Sequence, residues 1–239
     1  MFSVKYILDL IYPLRCQICQ TRQDPDMGSS LCCDCALKLQ RNQPPFCKKC
    51  GRSLLGARGP QTVCYECSFR KLYFERAWSC YIYDGLTKEC VKLLKYKKRV
   101  SLGKPLSGLM LEFFNRNMKG IDLDMIVPVP LSKKRLIQRE FNQAELLSEN
   151  ISKGMGLDIS SDNLIKRRNT SSQSDLPRRE RLRNLQSAFC VRRPYEFRGK
   201  KILLIDDVIT TCATINESSK TLIEAGSGKV YALSLARGA

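Results

Sequence analysis

Eight cysteines near the start of the chain occur in four pairs, and two residues separate the members of each pair. Twelve residues separate the first two pairs and thirteen the last two, in the order Cys16, Cys19, Cys32, Cys35, Cys47, Cys50, Cys64 and Cys67. The turn within a pair lets both sulfurs face one ion, and two pairs supply the four thiolates that structural zinc prefers. The spacing predicts two structural Zn²⁺ sites with no coordination position left for a substrate.

Two alternatives to this interpretation stay open. A set of redox-active dithiols is one, although the segment lacks the strand and helix that surround such motifs in thioredoxin-like proteins. Cys33 stands beside Cys32 and could replace it as a ligand, and only the spacing to Cys35 favours Cys32. The thirteen cysteines cannot all pair in internal disulfides. Thiols used as metal ligands are typical of a reducing compartment, so we expect a cytoplasmic protein.

A second chemical signal lies in residues 201–217, KILLIDDVITTCATINE. An apolar strand ends at Asp206 and Asp207, and threonines follow where the next helix begins. Ligands of open α/β sheets bind beyond the carboxyl ends of the strands, and the amides that begin a helix favour phosphate. Two adjacent carboxylates can accept hydrogen bonds from a sugar diol, so the segment predicts a sugar 5-phosphate site. An aspartate pair that ends a strand, or holds Mg²⁺ in a nucleotide hydrolase, is the weaker alternative, because no Gly-rich phosphate loop accompanies it.

Composition limits the chemistry further. The chain has 239 residues, a formal net charge of +18 and no histidine. Without histidine, Ser-His-Asp triads, Cys-His nucleophiles and mixed Cys/His metal sites are excluded. The positive charge favours polyanionic partners such as nucleic acid or phosphorylated metabolites.

The elements that must position these residues follow from apolar periodicity. Strands are expected at 77–85, 125–129, 201–206 and 230–236, and helices near 86–94, 106–114, 141–154 (ended by Gly154), from Pro177 after a loop at 169–176, and 213–226. Strands that alternate with helices predict a parallel α/β sheet flanked by helices. We expect three regions: an amphipathic helix over 1–15 with no membrane span, a cysteine-rich unit over 16–68, and the α/β domain over 77–239.

Four ordered stretches resemble one protein family. Residues 201–217 are similar to the phosphoribosyl pyrophosphate (PRPP) motif of type I phosphoribosyltransferases. The stretches IVPVPLSKKRLIQREFNQAELLS (126–148) and SQSDLPRRERLRNLQSAF (172–189), together with the cysteine pairs, narrow the resemblance to the ComF family (competence protein F, ComFC/GntX-like). The resemblance implies a type I phosphoribosyltransferase fold behind a double zinc ribbon. It also implies a role in natural transformation, in the handling of incoming single-stranded DNA in the bacterial cytoplasm.

The resemblance also implies site residues. The ribose hydroxyls and 5-phosphate of PRPP would meet Asp206, Asp207, Thr210, Thr211, Cys212, Ala213 and Thr214. Pyrophosphate, carrying Mg²⁺, would meet Lys133, Arg135 and Arg139. A flexible loop over 169–184 would close on it with Gln173, Ser174, Arg181 and Asn184.

Two positions depart from the family pattern. Cys212 and Glu140 stand where the motifs have glycine, and glycine permits a positive φ and close backbone approach. A Cβ at 212 would crowd the phosphate, whereas a negative φ there would leave the site usable. Glu140 places a negative charge next to the proposed pyrophosphate arginine. Phosphoribosyl transfer is therefore left open at this point.

The positive charge is clustered. Residues 88–104, 133–139, 166–183 and 192–201 carry formal charges of +6, +4, +5 and +4. The second and third clusters lie where pyrophosphate would bind. The first and last are interleaved with aromatic residues, a pattern that suits single-stranded nucleic acid: Tyr81, Tyr83, Tyr96, Tyr195 and Phe197. A solvated basic surface with its aromatic rings in the core is the alternative.

Two functions follow. One is a phosphoribosyltransferase-like enzyme or PRPP-binding protein. The other is a non-catalytic nucleic-acid-binding adaptor that uses the α/β fold as a scaffold and its zinc ribbons to dock a DNA-translocating helicase.

Overall fold

The computed structural model describes residues 13–24, 26, 28–57, 59, 62–167 and 187–238. The strands in these ranges are β1 Arg76–Ile82, β2 Met125–Pro128, β3 Asp158–Ile159, β4 Leu164–Lys166, β5 Phe189–Val191, β6 Ile202–Ile209 and β7 Val230–Arg237. The α-helices are α1 Cys33–Leu37, α2 Tyr65–Ser68, α3 Gly85–Tyr96, α4 Gly103–Asn117, α5 Lys133–Arg139, α6 Gln143–Met155 and α7 Ala213–Glu224, with 3₁₀ turns at Val100–Leu102 and Pro194–Glu196.

Five strands form one parallel sheet in the order β1-β7-β6-β2-β3. The central strands are apolar along most of their length, as strands covered on both faces must be. Strands β4 and β5 form a separate antiparallel pair. The expected parallel sheet with flanking helices is confirmed.

Each face of the sheet has its own apolar core. Trp78, Leu203 and Leu233 point to one face, where they cluster with buried residues of α3, α4 and α6. Their chain neighbours point to the other face and cluster with α7, because successive side chains of a strand alternate.

The cysteine-rich segment covers the exposed edge of the sheet. The amide of Asn42 donates to the carbonyl of Cys80 at 3.0 Å, and the amide of Ala77 donates to the carbonyl of Lys49 at 2.7 Å. An unpaired edge strand is a template for aggregation, so these bonds satisfy β1 and fix the segment to it.

Two expectations from the sequence need correction, and three fall wholly or mostly outside the described residues. Helix α6 continues through Gly154 to Met155 and is capped by Gly156, whose φ is +65°. A Cβ at Gly154 would lie 2.3 Å from Leu111 Cδ2, so this glycine permits close packing on α4. Strand β6 extends beyond the aspartates to Ile209. The predicted loop 169–176, the helix from Pro177 and most of the helix over 1–15 lie outside the described residues.

Candidate functional site

A cavity of about 230 Å³ opens at the carboxyl ends of β2 and β6. This is where ligands of open parallel sheets bind. Its polar lining comes from several elements and comprises Tyr83, Lys95, Tyr96, Ser132, Arg135, Arg139, Asn142, Gln143, Lys166, Asp206, Asp207, Thr210 and Thr214.

The two aspartates hold different electrostatic positions. Burial, followed by the negative charge of Asp207, raises the pKa of Asp206 to about 7. Asp206 Oδ1 also accepts the amide of Asp207 at 2.8 Å. Asp207 Oδ2 lies 2.8 Å from Lys95 Nζ, and both side chains are largely buried. The pair therefore offers one charge-compensated carboxylate and one carboxyl that can change protonation near neutral pH.

Cations belong to the same cavity. Burial and the neighbouring charge of Arg135 lower the pKa of Lys166 to about 8, while Asp206 opposes this shift. Lys166 reaches the cavity from β4, beside Ser132 at the start of α5, with which it forms a β-bridge. A desolvated lysine next to an arginine is stabilised by an incoming anion, so this wall suits phosphate oxygens.

Arg139 is oriented by its neighbours. Its Nη1 donates to Gln143 Oε1 at 2.9 Å, and its guanidinium lies 5.4 Å from the ring centroid of Tyr96. Glu140 follows it with a φ of +69° and pairs with Lys98. The negative charge of Glu140 is thus compensated from another element, and the residue adopts the left-handed conformation that glycine would supply.

The backbone at Cys212 decides between two alternatives that the sequence left open. Its φ is +61°, so the residue does not adopt the negative φ. The backbone keeps the left-handed turn, and the side chain is tied instead to Arg237, whose Nη1 lies 3.3 Å from Cys212 Sγ. Helix α7 begins at the next residue, Ala213.

The predicted ligand residues are only partly brought together. Asp206, Asp207, Thr210, Thr214, Arg135 and Arg139 line the main cavity, and Cys212 and Ala213 line a smaller adjoining hollow. Thr211 is buried, and its Oγ1 accepts the amide of Ala213 at 3.4 Å. Lys133 is exposed and lies away from the cavity lining. Gln173, Ser174, Arg181 and Asn184 lie outside the described residues.

The sequence interpretation missed part of the lining. Lys95 and Tyr96 belong to a basic cluster whose pattern suits single-stranded nucleic acid, yet both line the cavity with Tyr83. One signal was available in the sequence: Lys95 directly follows Leu94, an apolar residue at the end of the predicted helix 86–94. Phe197 and Tyr81 are buried, which for these two residues selects the alternative with the aromatic rings in the core.

The eight paired cysteines form two groups of four, in each of which all sulfurs lie within 4.8 Å of one another. Sulfurs of Cys19 and Cys32 are 3.6 Å apart, and those of Cys50 and Cys64 are 3.7 Å apart. Tetrahedral Zn²⁺ with Zn–S bonds of about 2.3 Å requires sulfurs roughly 3.8 Å apart. The first group, Cys16, Cys19, Cys32 and Cys35, is called site 1, and the second, Cys47, Cys50, Cys64 and Cys67, is called site 2.

Backbone amides support the sulfurs in both sites. The amide of Cys32 donates to Cys16 Sγ at 3.4 Å, and the amide of Cys64 donates to Cys47 Sγ at 3.3 Å. Such bonds stabilise thiolate ligands. Cys33 is exposed, and its sulfur belongs to neither group, so Cys32 is the ligand. The residues therefore fit two Zn²⁺ ions.

Comparison with known proteins agrees with these sites. Residues 7–68 match the model of the double zinc ribbon domain. The chain is 31% identical to the DNA utilization protein YhgH of Salmonella typhimurium over 87% of this chain and 90% of that protein. It is also 31% identical to competence protein F of Haemophilus influenzae, over 87% and 91% of the two chains. The chain belongs to the competence protein F (ComF) family.

One further relative and two solved structures are also similar to this chain. Competence protein ComFC of Bacillus subtilis is 27% identical over 90% of this chain and 91% of that protein. Among solved structures, a glutamine PRPP amidotransferase of B. subtilis aligns with a TM-score of 0.41 at 15% identity, over 60% of this chain and 30% of that chain. An adenine phosphoribosyltransferase aligns with a TM-score of 0.37 at 12% identity, over 59% and 75%. None of the helices in the described residues has the length and apolar character of a membrane span.

Proposed function

We propose that this ComF-family protein binds PRPP, or a related phosphoribosyl ligand, together with Mg²⁺. The observation that carries the proposal is one cavity with an aspartate pair, a threonine-bearing loop at a helix start, and the cations Arg135, Arg139 and Lys166. These groups match the three parts of the ligand: a diol, a terminal phosphate and a pyrophosphate.

Each group has a distinct task in this proposal. Residues 210–214 hold the 5-phosphate, because the first amides of α7 and the hydroxyls of Thr210 and Thr214 donate to anionic oxygens. Asp206 and Asp207 accept hydrogen bonds from the ribose hydroxyls. Arg135, Arg139 and Lys166 meet the pyrophosphate, whose oxygens bring the Mg²⁺ that offsets their charge.

Titration calorimetry with Mg–PRPP tests the proposal. We expect binding by the natural protein and a loss of about tenfold or more in the affinity of the Asp206→Asn variant, because an amide accepts fewer bonds from the diol. Asp158→Asn is the matched control, since Asp158 is exposed on β3 of the same sheet. Absence of binding heat for the natural protein, with ribose 5-phosphate and pyrophosphate equally silent, contradicts the proposal.

Lys166 supplies a second signature. Pyrophosphate stabilises the charged form of Lys166. Binding at pH 8 to 9 should therefore take up a proton, because Lys166 has a pKa of about 8 in the protein without ligand. Calorimetry in two buffers of different ionisation enthalpy measures this uptake. A Lys166→Arg variant should bind without it.

We also propose that the protein acts on single-stranded DNA in the cytoplasm, docked to a DNA-translocating helicase. The support is the names of the relatives, which refer to competence and DNA utilization, and an exposed basic surface beside the cavity. Tyr96 is 61% exposed and is followed by the exposed Lys97 and Arg99. Titration of labelled single strands at several salt concentrations should show affinity falling as salt rises. Affinity that is insensitive to salt, or unchanged in Lys97→Ala/Arg99→Ala, contradicts this role.

A further inference from the structure

Arg237 ends β7 as a buried cation, 6% exposed. Its Nη1 donates to the carbonyl of Cys50 at 2.8 Å and to Cys212 Sγ at 3.3 Å, and its Nη2 lies 3.5 Å from Cys50 Sγ. Among the residues that the structure describes, no carboxylate forms an ion pair with it. A buried guanidinium needs a compensating charge.

Site 2 provides that charge. Four thiolates and one Zn²⁺ carry two net negative charges. One of these thiolates, Cys50 Sγ, lies beside the guanidinium, and the other contact of Arg237 is the side chain of Cys212 in the loop after β6. A single arginine thus links the metal ligands with the loop.

Further contacts join the same two regions. Arg70 follows site 2 along the chain, and its Nη1 donates to the carbonyl of Thr211 at 2.9 Å. The amide of Tyr73 donates to Asn216 Oδ1 at 2.8 Å. The loop is therefore held through its backbone and through Cys212 by the part of the chain that surrounds site 2.

Cys212 needs this support. Its φ of +61° is unfavourable for a residue with a Cβ, and only the surrounding contacts keep it there. The contact with Arg237 stabilises the left-handed conformation that glycine would adopt without strain. Gly238 lies next to Arg237, and a Cβ there would lie 2.7 Å from Thr210 Cγ2, so the end of β7 packs directly on this loop.

We propose that Arg237 is a positioning residue that couples metal occupancy of site 2 to the shape of loop 210–213. The loop holds a sugar phosphate only while site 2 holds its Zn²⁺, and site 1 has no such effect. This inference rests on the proposed function for its ligand, although the coupling itself does not.

The test compares the most exposed cysteine of each site, in the full chain. Cys67→Ser weakens site 2 and Cys19→Ser weakens site 1, and metal analysis reports the zinc retained. We expect Cys67→Ser and Arg237→Met to lower Mg–PRPP affinity about tenfold or more, since each removes charge-assisted hydrogen bonds that hold the loop. Cys19→Ser should change this affinity less than about twofold.

Hydrogen exchange of the amides at 210–216 gives a readout without ligand. It should accelerate in Cys67→Ser and Arg237→Met, while exchange in the interior strand β2 stays slow and shows that the fold is intact. Arg237→Lys keeps the charge but loses the bidentate contact, so its exchange rate should lie between those of the natural protein and Arg237→Met. Equal effects of Cys19→Ser and Cys67→Ser, or unchanged exchange at 210–216, overturn the coupling. Silence of the natural protein in calorimetry contradicts the proposed function alone, because the exchange result still decides the coupling.

Discussion

The two zinc sites have almost the same cysteine spacing but lie in different surroundings. Cysteines of site 1 pack into the core on the face of the sheet with α3, α4 and α6. Those of site 2 pack into the opposite core, together with Cys212 and Ala213 of the loop after β6. Site 1 leaves Cys19 exposed, whereas the most exposed ligand of site 2, Cys67, is partly buried. Equal motifs therefore have different surroundings: site 1 packs against the core beneath α3, α4 and α6, whereas site 2 adjoins both the sheet edge and the candidate ligand site.

A glycine pair gives the largest expected effect on this comparison. Gly51 lies directly after Cys50 of site 2 with a φ of +68°, and a Cβ there would lie 2.3 Å from the carbonyl oxygen of Ala77. Gly28 lies between Cys19 and Cys32 of site 1. Its φ is +56°, and a Cβ there would have no heavy atom of the described residues within 4 Å. We expect Gly51→Ala to lower the free energy of unfolding by about 3 kcal/mol and Gly28→Ala by about 1 kcal/mol. Chemical denaturation measures both changes. Equal losses of unfolding free energy would contradict tighter packing around site 2 than around site 1.

Asp206 tests whether a destabilising buried charge lies on the same side of the molecule as site 2. Its folded pKa of about 7 lies above the ordinary value of 3.8, so ionisation in the fold costs stability. The free energy of unfolding should therefore fall as pH rises from about 4 to 7, since the folded state binds the extra proton. Asp206→Asn removes this cost and should be about 2 kcal/mol more stable than the natural protein at pH 8, with little gain near pH 4.

Urea denaturation at both pH values checks this expectation. Asp122→Asn is the control, because Asp122 is exposed and pairs with Lys201 next to the other end of β6, which lowers the pKa of Asp122. That variant should gain nothing at pH 8. A gain in the control, or none in Asp206→Asn, would show that the carboxyl is not strained.

Lys95 tests whether the face of the sheet on which site 1 packs contributes to the ligand site. It reaches the cavity from α3 and compensates Asp207. Lys95→Met should reduce Mg–PRPP affinity about tenfold, because the negative charge of Asp207 is then uncompensated and repels the anion. The exposed Lys92 of the same helix provides the control, Lys92→Met. Equal affinity in both variants would leave ligand binding to the site 2 face alone.

Metal release should show the smallest difference. Site 1 has an exposed ligand, Cys19, and should lose Zn²⁺ to a chelator several-fold faster than the more buried site 2. A coloured chelator would follow two phases, and Cys19→Ser should alter the fast phase only. A single phase, or a fast phase that Cys67→Ser removes, reverses the assignment.

Much of the fold followed from local patterns. Cysteine spacing predicted both metal groups, because the turn between two paired cysteines is set by neighbouring residues. Continuous apolar runs predicted the parallel strands β2, β6 and β7, because strands buried on both faces cannot alternate with polar residues. Helix ends were less well predicted: Gly154 lies inside α6 because its missing side chain makes room for Leu111.

By itself, the sequence determined the parallel sheet, the aspartate pair on the strand β6, and the zinc ligands except for the choice between Cys32 and Cys33. Only the tertiary structure decided that Lys95 compensates Asp207, that Lys166 lines the same cavity, and that Arg237 joins Cys50 to Cys212. The physical reason is range. Spacing and periodicity act within a few residues, whereas Cys50 and Arg237 meet across 187 positions, and only the folded sheet brings them together.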